Sequence, residues 1–165
     1  MPELPDVQVY IARLRALPTG ARLERARVAN PFVLRSVTPP LSILHERVLA
    51  DVGRIGKRIV LHFEGDVHLV IHLMIAGRLR WRPLSKPLRG KLVLAELVFP
   101  DGVLYLTEAG TKRRAMLHVV EGTASLEQFD RGGIDPLTAS LAEFTQRLRS
   151  ENHTLKRSLT DPRMF

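Results

Sequence analysis

The chain has 165 residues, 45% of them hydrophobic, and its 25 Lys and Arg outnumber 17 Asp and Glu, for a formal net charge of +8. That length suits one packed domain or one and a part, and the cation excess favours a polyanionic partner because phosphate contacts release counterions. The absence of cysteine excludes disulfides and thiolate zinc sites within this chain; with no membrane-length apolar run and no signal-peptide pattern, it reads as cytoplasmic with no membrane partner.

Pro5 sits where a first helical turn tolerates proline. From there Val7, Tyr10, Ile11, Leu14 and Leu17 recur at helical spacing, and Pro18-Thr19-Gly20 ends the helix. Short strands follow: Leu23–Val28 and Arg47–Val52, with Asn30-Pro31, Thr38-Pro39-Pro40 and Val52-Gly53 as punctuation. Arg58–Phe63 alternates, Glu64-Gly65-Asp66 turns, and Val67–Met74 returns. Arg78–Trp81, then Leu92–Phe99 and Val103–Thr107 around Pro100-Asp101-Gly102, and finally Met116–Val120 complete the strand-rich part. The pattern predicts an α+β, mainly β fold: an N-terminal helix on an antiparallel sandwich of about eight strands.

No linker precedes Gly122, so residues 1–122 read as one domain and 123–165 as a second, helical part. In it, Leu141, Phe144 and Leu148 form a helical stripe, and Asn152-His153-Thr154 caps a further helix holding Leu155 and Leu159. The six histidines read as structural. His68 and His72, four apart, lie roughly 13 Å apart along a strand, too far to share one ion.

The N-terminal Met1-Pro2-Glu3-Leu4-Pro5-Asp6 carries chemistry of its own. With Met1 removed, the Pro2 nitrogen is a secondary amine. Its iminium adduct with a sugar carbon has no proton to lose and remains an electron sink. An α-amino group titrates near ~8, so a useful fraction is nucleophilic at neutral pH. Glu3 beside it is placed for general acid or base work. A helix starting here also points its positive end at that amine, which favours the neutral form.

This opening resembles the formamidopyrimidine-DNA glycosylase / endonuclease VIII family, whose members begin Met-Pro-Glu-x-Pro-Glu and use the proline amine as nucleophile. Asp6 stands where the family has Glu. The resemblance implies catalytic roles for Pro2, Glu3 and Asp6, and for Lys57 in the glycine-flanked turn Gly53–Arg58. His72–Leu79 resembles the family's His-Leu-Gly-Met-Ser-Gly-x-Leu, where an apolar residue wedges into the hole left by a flipped base; Met74 or Ile75 would serve here. Glu108–Ala115 falls where relatives have Asp-Pro-Arg-Arg-Phe-Gly, without the proline or phenylalanine, and one of Lys112, Arg113 or Arg114 would fill the void. Gly132–Leu137 and Thr154–Asp161 resemble the start of the family's helix–two-turn–helix module, which makes Lys156 a phosphate contact and the chain one that ends inside that module. The family's zinc finger has no counterpart, so no cofactor is expected in this chain.

The resemblance implies a bifunctional glycosylase and abasic-site lyase for oxidised bases in double-stranded DNA, acting as a monomer. The alternative is a basic module that docks damaged or distorted DNA without catalysis. A proline-amine tautomerase is a third class, disfavoured by the strand-rich middle and the +8 charge.

Overall fold

The computed structural model describes residues 2–165. The helix α1 spans Leu4–Ala16, and Asp6 in its first turn accepts a hydrogen bond from the Glu3 backbone N–H at 2.8 Å. That bond satisfies an otherwise free donor at the helix entry. Val7, Ile11 and Leu14 are buried as the periodicity predicts. Leu17, expected on the same stripe, is instead the C-cap and is 37% exposed, because the helix stops one residue short of it.

Eight strands follow: β1 (Arg25–Val28), β2 (Leu49–Ile55), β3 (Arg58–Phe63), β4 (Val67–His72), β5 (Gly77–Arg82), β6 (Val93–Phe99), β7 (Gly102–Glu108) and β8 (Met116–Glu121). They form two antiparallel four-stranded sheets, ordered β1-β6-β7-β5 and β2-β3-β4-β8. The predicted helix on an eight-stranded sandwich is therefore the observed architecture. Leu61, Leu69, Ile71, Leu117 and Val119 from one sheet meet Leu79, Leu97, Leu104 and Leu106 from the other in one core. Each fully buried side chain of this kind stabilises by about 1.5–3 kcal/mol, so this layer dominates stability.

Two strand limits differ from the sequence reading for physical reasons. β2 runs through Gly53 to Ile55 rather than stopping at Val52. The His62 ring packs over Gly53, where an added Cβ would lie 3.1 Å from Nε2, so this glycine makes room within a strand instead of ending it. β4 ends at His72, because Met74 takes a left-handed φ of 54° and the chain leaves the sheet at Leu73.

The chain divides into two compact units, one reaching Ser125 and the other Leu126–Phe165. The expected boundary after Gly122 falls at a short 3-10 helix, Thr123–Phe129. The second unit holds α2 (Leu141–Arg149), with a Ser140–Glu143 capping box, and α3 (Leu155–Thr160), capped by Thr154. The Phe144 and Phe165 rings pack at 4.8 Å between centroids. Asp161 accepts from the Arg163 backbone and guanidinium, and these bonds hold its carboxyl well below the usual carboxylate range.

His62 and His68 are cross-strand partners in β3 and β4 and face each other at 3.1 Å between Nδ1 atoms. His68 Nε2 lies 3.0 Å from Asp66 Oδ1. Which ring donates between the two Nδ1 atoms depends on the tautomer. Only one proton fits between the rings. Asp66 also accepts from Thr123 Oγ1 at 2.6 Å and Thr123 N at 3.0 Å, and these bonds, the hydroxyl's first, lower its pKa. Burial, then the neighbouring His68, lowers the pKa of His62, while Asp51 opposes and Arg15 reinforces the shift. A histidine with a depressed folded pKa binds its proton more weakly folded than unfolded. Its stabilisation is complete above about pH 6.5 and is lost as pH falls below that value. The melting temperature is expected to drop by about 2–5 °C between pH 7.5 and 5.5, and His62→Gln should remove part of that dependence. A melting profile unaltered by the substitution would show that the histidine pair is not its source.

Candidate active site

β2 and β3 are joined by Gly56-Lys57, with Ile55 opposite Arg58. Gly56 has a φ of 55° and Lys57 is not left-handed, the type II′ pattern that suits a two-residue hairpin. The turn projects Lys57, whose Nζ donates to the Glu3 carboxylate across 54 positions of sequence. At the other end of α1, Arg15 pairs with Asp51 of β2 through two bonds, of 3.0 and 3.2 Å. Both pairs are substantially exposed, and such pairs contribute only ~0–1 kcal/mol each. Their effect is positional: they tie both ends of α1 to one hairpin. Pro2 is buried beside Glu3. Met1, whose removal would free the Pro2 nitrogen, lies outside the described residues.

The connection from β4 to β5 is a tight turn. Leu73 is 1% exposed, Met74 is half-buried, and Ile75 is 54% exposed. Gly77 N–H donates to the Leu73 carbonyl at 2.9 Å, and a Cβ at Gly77 would come within 2.3 Å of that oxygen, so only glycine closes this turn. Arg78 Nη1 donates to the Gly77 carbonyl at 2.7 Å. The turn is thus braced from within while Ile75 stands out into solvent.

The loop from β7 to β8 carries Lys112, Arg113 and Arg114, all exposed. It is held by Glu108, a side chain 1% exposed, whose Oε2 accepts from the backbone N–H groups of Arg114 at 2.8 Å and Ala115 at 2.9 Å. A buried carboxylate requires such donors. Strand registers place the three features together. Ile59 opposite Ile71 and His72 opposite Met116 put the start of β3, the end of β4 and the start of β8 at one end of their sheet. Gly77 opposite Glu108 puts the start of β5 and the end of β7 at the same end of the other.

Pro2, Glu3 and Lys57 are therefore adjacent, and Met74, Ile75 and Lys112–Arg114 emerge at the same end of the sandwich. Asp6 sits one helical turn from Glu3, and its carboxylate is engaged in capping α1. Lys156 is exposed in α3 of the other unit. Glu108 and Arg78, which shape the two crossing loops, were not singled out by the sequence. Glu108 left a faint signal, an acid closing an apolar strand just before three cations. Among the described residues no group of three or more His, Asp or Glu is placed to hold a metal ion.

Comparison with known proteins matches residues 1–116 to the formamidopyrimidine-DNA glycosylase N-terminal domain. Curated formamidopyrimidine-DNA glycosylases are similar throughout: that of Heliobacterium modesticaldum is 30% identical over 98% of this chain and 61% of its own length. That of Thermus thermophilus is 31% identical over 99% and 58%, and that of Mycoplasma genitalium 27% over 98% and 58%. The fold matches the Lactococcus lactis enzyme crystallised with abasic-site DNA at a TM-score of 0.86 and 21% identity, covering 99% of this chain and 62% of that one. The chain belongs to the formamidopyrimidine-DNA glycosylase / endonuclease VIII family and spans about three fifths of the length of these relatives.

Glu108→Ala is expected to lower stability by about 2–4 kcal/mol, because two buried N–H groups lose their acceptor. It should also open the bonds after Lys112, Arg113 and Arg114 to limited trypsin digestion. Glu108→Gln, which keeps an acceptor oxygen, should lose less. Equal trypsin resistance in wild type and Glu108→Ala would show that the carboxylate does not hold this loop.

Proposed function

We propose that this protein is a DNA glycosylase and abasic-site lyase of base excision repair, acting on oxidised bases in double-stranded DNA. The observation that carries this reading is the Glu3–Lys57 contact, which brings the Lys57 ammonium to the carboxylate of the residue that directly follows Pro2. The Lactococcus lactis neighbours were crystallised with abasic-site and with formamidopyrimidine-containing DNA, which supports the choice of substrate class. Expected setting and state are cytoplasmic and monomeric; no described helix is long and apolar enough to cross a membrane.

In this mechanism the damaged nucleotide is flipped out of the stack. The Pro2 nitrogen attacks C1′ of the sugar, and its proton is lost to solvent or a basic group. Glu3 donates a proton to the ring oxygen, the ring opens, and the damaged base departs with the electron pair of its glycosidic bond and a proton. The product is a charged iminium between Pro2 and C1′. Loss of a C2′ proton sends electrons toward the iminium, and the resulting enamine conjugate expels the 3′ phosphate. Water then releases the sugar fragment and restores the amine. Lys57 exchanges its contact with Glu3 for a backbone phosphate. Ile75, exposed on a turn that Gly77 and Arg78 brace, is better placed than half-buried Met74 to fill the vacated stack. Lys112, Arg113 and Arg114 contribute phosphate or orphan-base contacts, and Lys156 of the second unit a further phosphate contact.

Borohydride reduction tests the covalent step, using protein whose N-terminus has been verified by mass. An adduct with abasic-site duplex is expected, and acetylating the N-terminus should abolish it. Glu3→Gln should slow base release by about 10²–10⁴-fold. Lys57→Ala should weaken productive binding by ~10–100-fold, the worth of one charged hydrogen bond. An unblocked protein that gives no adduct with abasic or oxidised duplexes would refute catalysis and leave a basic DNA-binding module.

A further inference from the structure

The positive charge is unevenly spread. Between Gly77 and Leu94 lie Arg78, Arg80, Arg82, Lys86, Arg89 and Lys91, and no Asp or Glu. β5 is an edge strand. Leu79 and Trp81 turn toward the core, so Arg78, Arg80 and Arg82 stand on the outer face, about 6.7 Å apart. The registers define that face row by row. Arg27, Glu96, Tyr105 and Arg80 are successive cross-strand neighbours, and so are Arg25, Val98, Val103 and Arg82. On the β1 side Glu96 takes both cations, with Arg27 at 2.7 Å and Arg25 at 4.0 Å. On the β5 side there is no counterpart: the side chains of Arg80 and Arg82 have no hydrogen-bond or ion-pair partner among the described residues.

The 83–92 loop adds to the same side. Its Leu88 packs on the cluster of Val93, Val103 and Tyr105, the middle of the outer face, which lays the loop over the strand neighbours of Arg80 and Arg82. Lys86 and Arg89, either side of Leu88, are exposed. Cations on an edge strand also discourage sheets from pairing edge to edge. That accounts for arginines on β5 but not for cations in a loop over the face.

We propose that the outer face of β5 and the 83–92 loop form a second phosphate-contacting surface, which holds the duplex flanking the lesion. The functional reading supplies the identity of the polyanion, DNA. The geometry supplies the rest. β5 starts at the end of the sandwich that carries Lys57, Ile75 and Lys112–Arg114, and the arginine row leads away from it for ~13 Å. At 3.4 Å per nucleotide along one strand of B-DNA, the row matches about four consecutive nucleotides.

The test is the salt dependence of binding to a short undamaged duplex, read by fluorescence anisotropy between about 50 and 200 mM salt. Each phosphate contact contributes ~0.9 to the slope of log affinity against log salt. Arg80→Ser/Arg82→Ser/Arg89→Ser should make the slope shallower by about 2–3. The corresponding triple Lys variant should keep it, and Arg13→Ser on α1 should leave it unchanged. Arg82→Ser alone, expected to remove ~0.9, serves if the triple variant does not fold. A slope unchanged in the serine variants overturns the proposal. So does a loss of ~0.9 in Arg13→Ser, which would make the effect one of net charge, and so does retained DNA binding with loss of binding to phosphatidylserine vesicles. Borohydride trapping on abasic-site duplex at saturating protein keeps the two readings apart. The triple variant should trap as well as wild type, whereas failure of the wild type to trap counts against catalysis and leaves the slope measurement intact.

Discussion

The contact between Glu3 and Lys57 is worth little as an energy and much as a constraint. Without it the N-terminal residues would be the fraying start of a helix. With it they are fastened to the tip of a hairpin whose two strands belong to the sandwich. The opposite end of α1 is fastened to the same hairpin by Arg15 and Asp51, and Val7, Ile11 and Leu14 provide the buried face between the two pins. The helix is therefore set in both rotation and sliding. Pro2, at its head, inherits that precision, which the proposed covalent attack on one sugar carbon would demand.

Much of this was legible in the sequence. The helix announced itself through Val7, Ile11 and Leu14. The hairpins announced themselves through alternation and through Gly56-Lys57, Glu64-Gly65-Asp66 and Pro100-Asp101-Gly102. What eluded the pattern was whatever depended on a partner from another strand. Gly53 looks like a stop signal in one dimension and is a slot for the His62 ring in three. His62 and His68 are six apart, a spacing without meaning for metal binding, yet pairing of β3 with β4 sets them face to face. Glu108 looks like the polar end of a strand and is a buried tether.

The site residues divide in the same way. Pro2 and Glu3 are candidates that residue type alone suggests, because the chemistry of a secondary amine is visible in the sequence itself, and Lys57 is one that only the family resemblance of its turn suggests. The differing exposure of Met74 and Ile75 could not be read there, since it turns on which side chain a left-handed backbone presents. The left-handed φ at Met74 and the oxygen of Leu73 pressed against Gly77 exist only once the two sheets are stacked. Arg80 and Arg82 show the limit from the other side. Their charge is plain in the sequence, but their lack of a counter-ion follows from Glu96 lying nearer the opposite edge of the sheet.

The segments 73–76 and 109–115 have a double duty. Each crosses from one sheet to the other, from β4 to β5 and from β7 to β8, and both do so at the same end. They are stitches as well as site loops, so their length sets the gap between the layers. Ordinary surface loops drift freely in length; these cannot without prying the sandwich apart. The turn Pro100-Asp101 is different, since it joins neighbours within one sheet at the far end. An inserted tag, a fluorophore or a split point belongs there, where added chain would spread into solvent and leave the layers and the chemistry undisturbed.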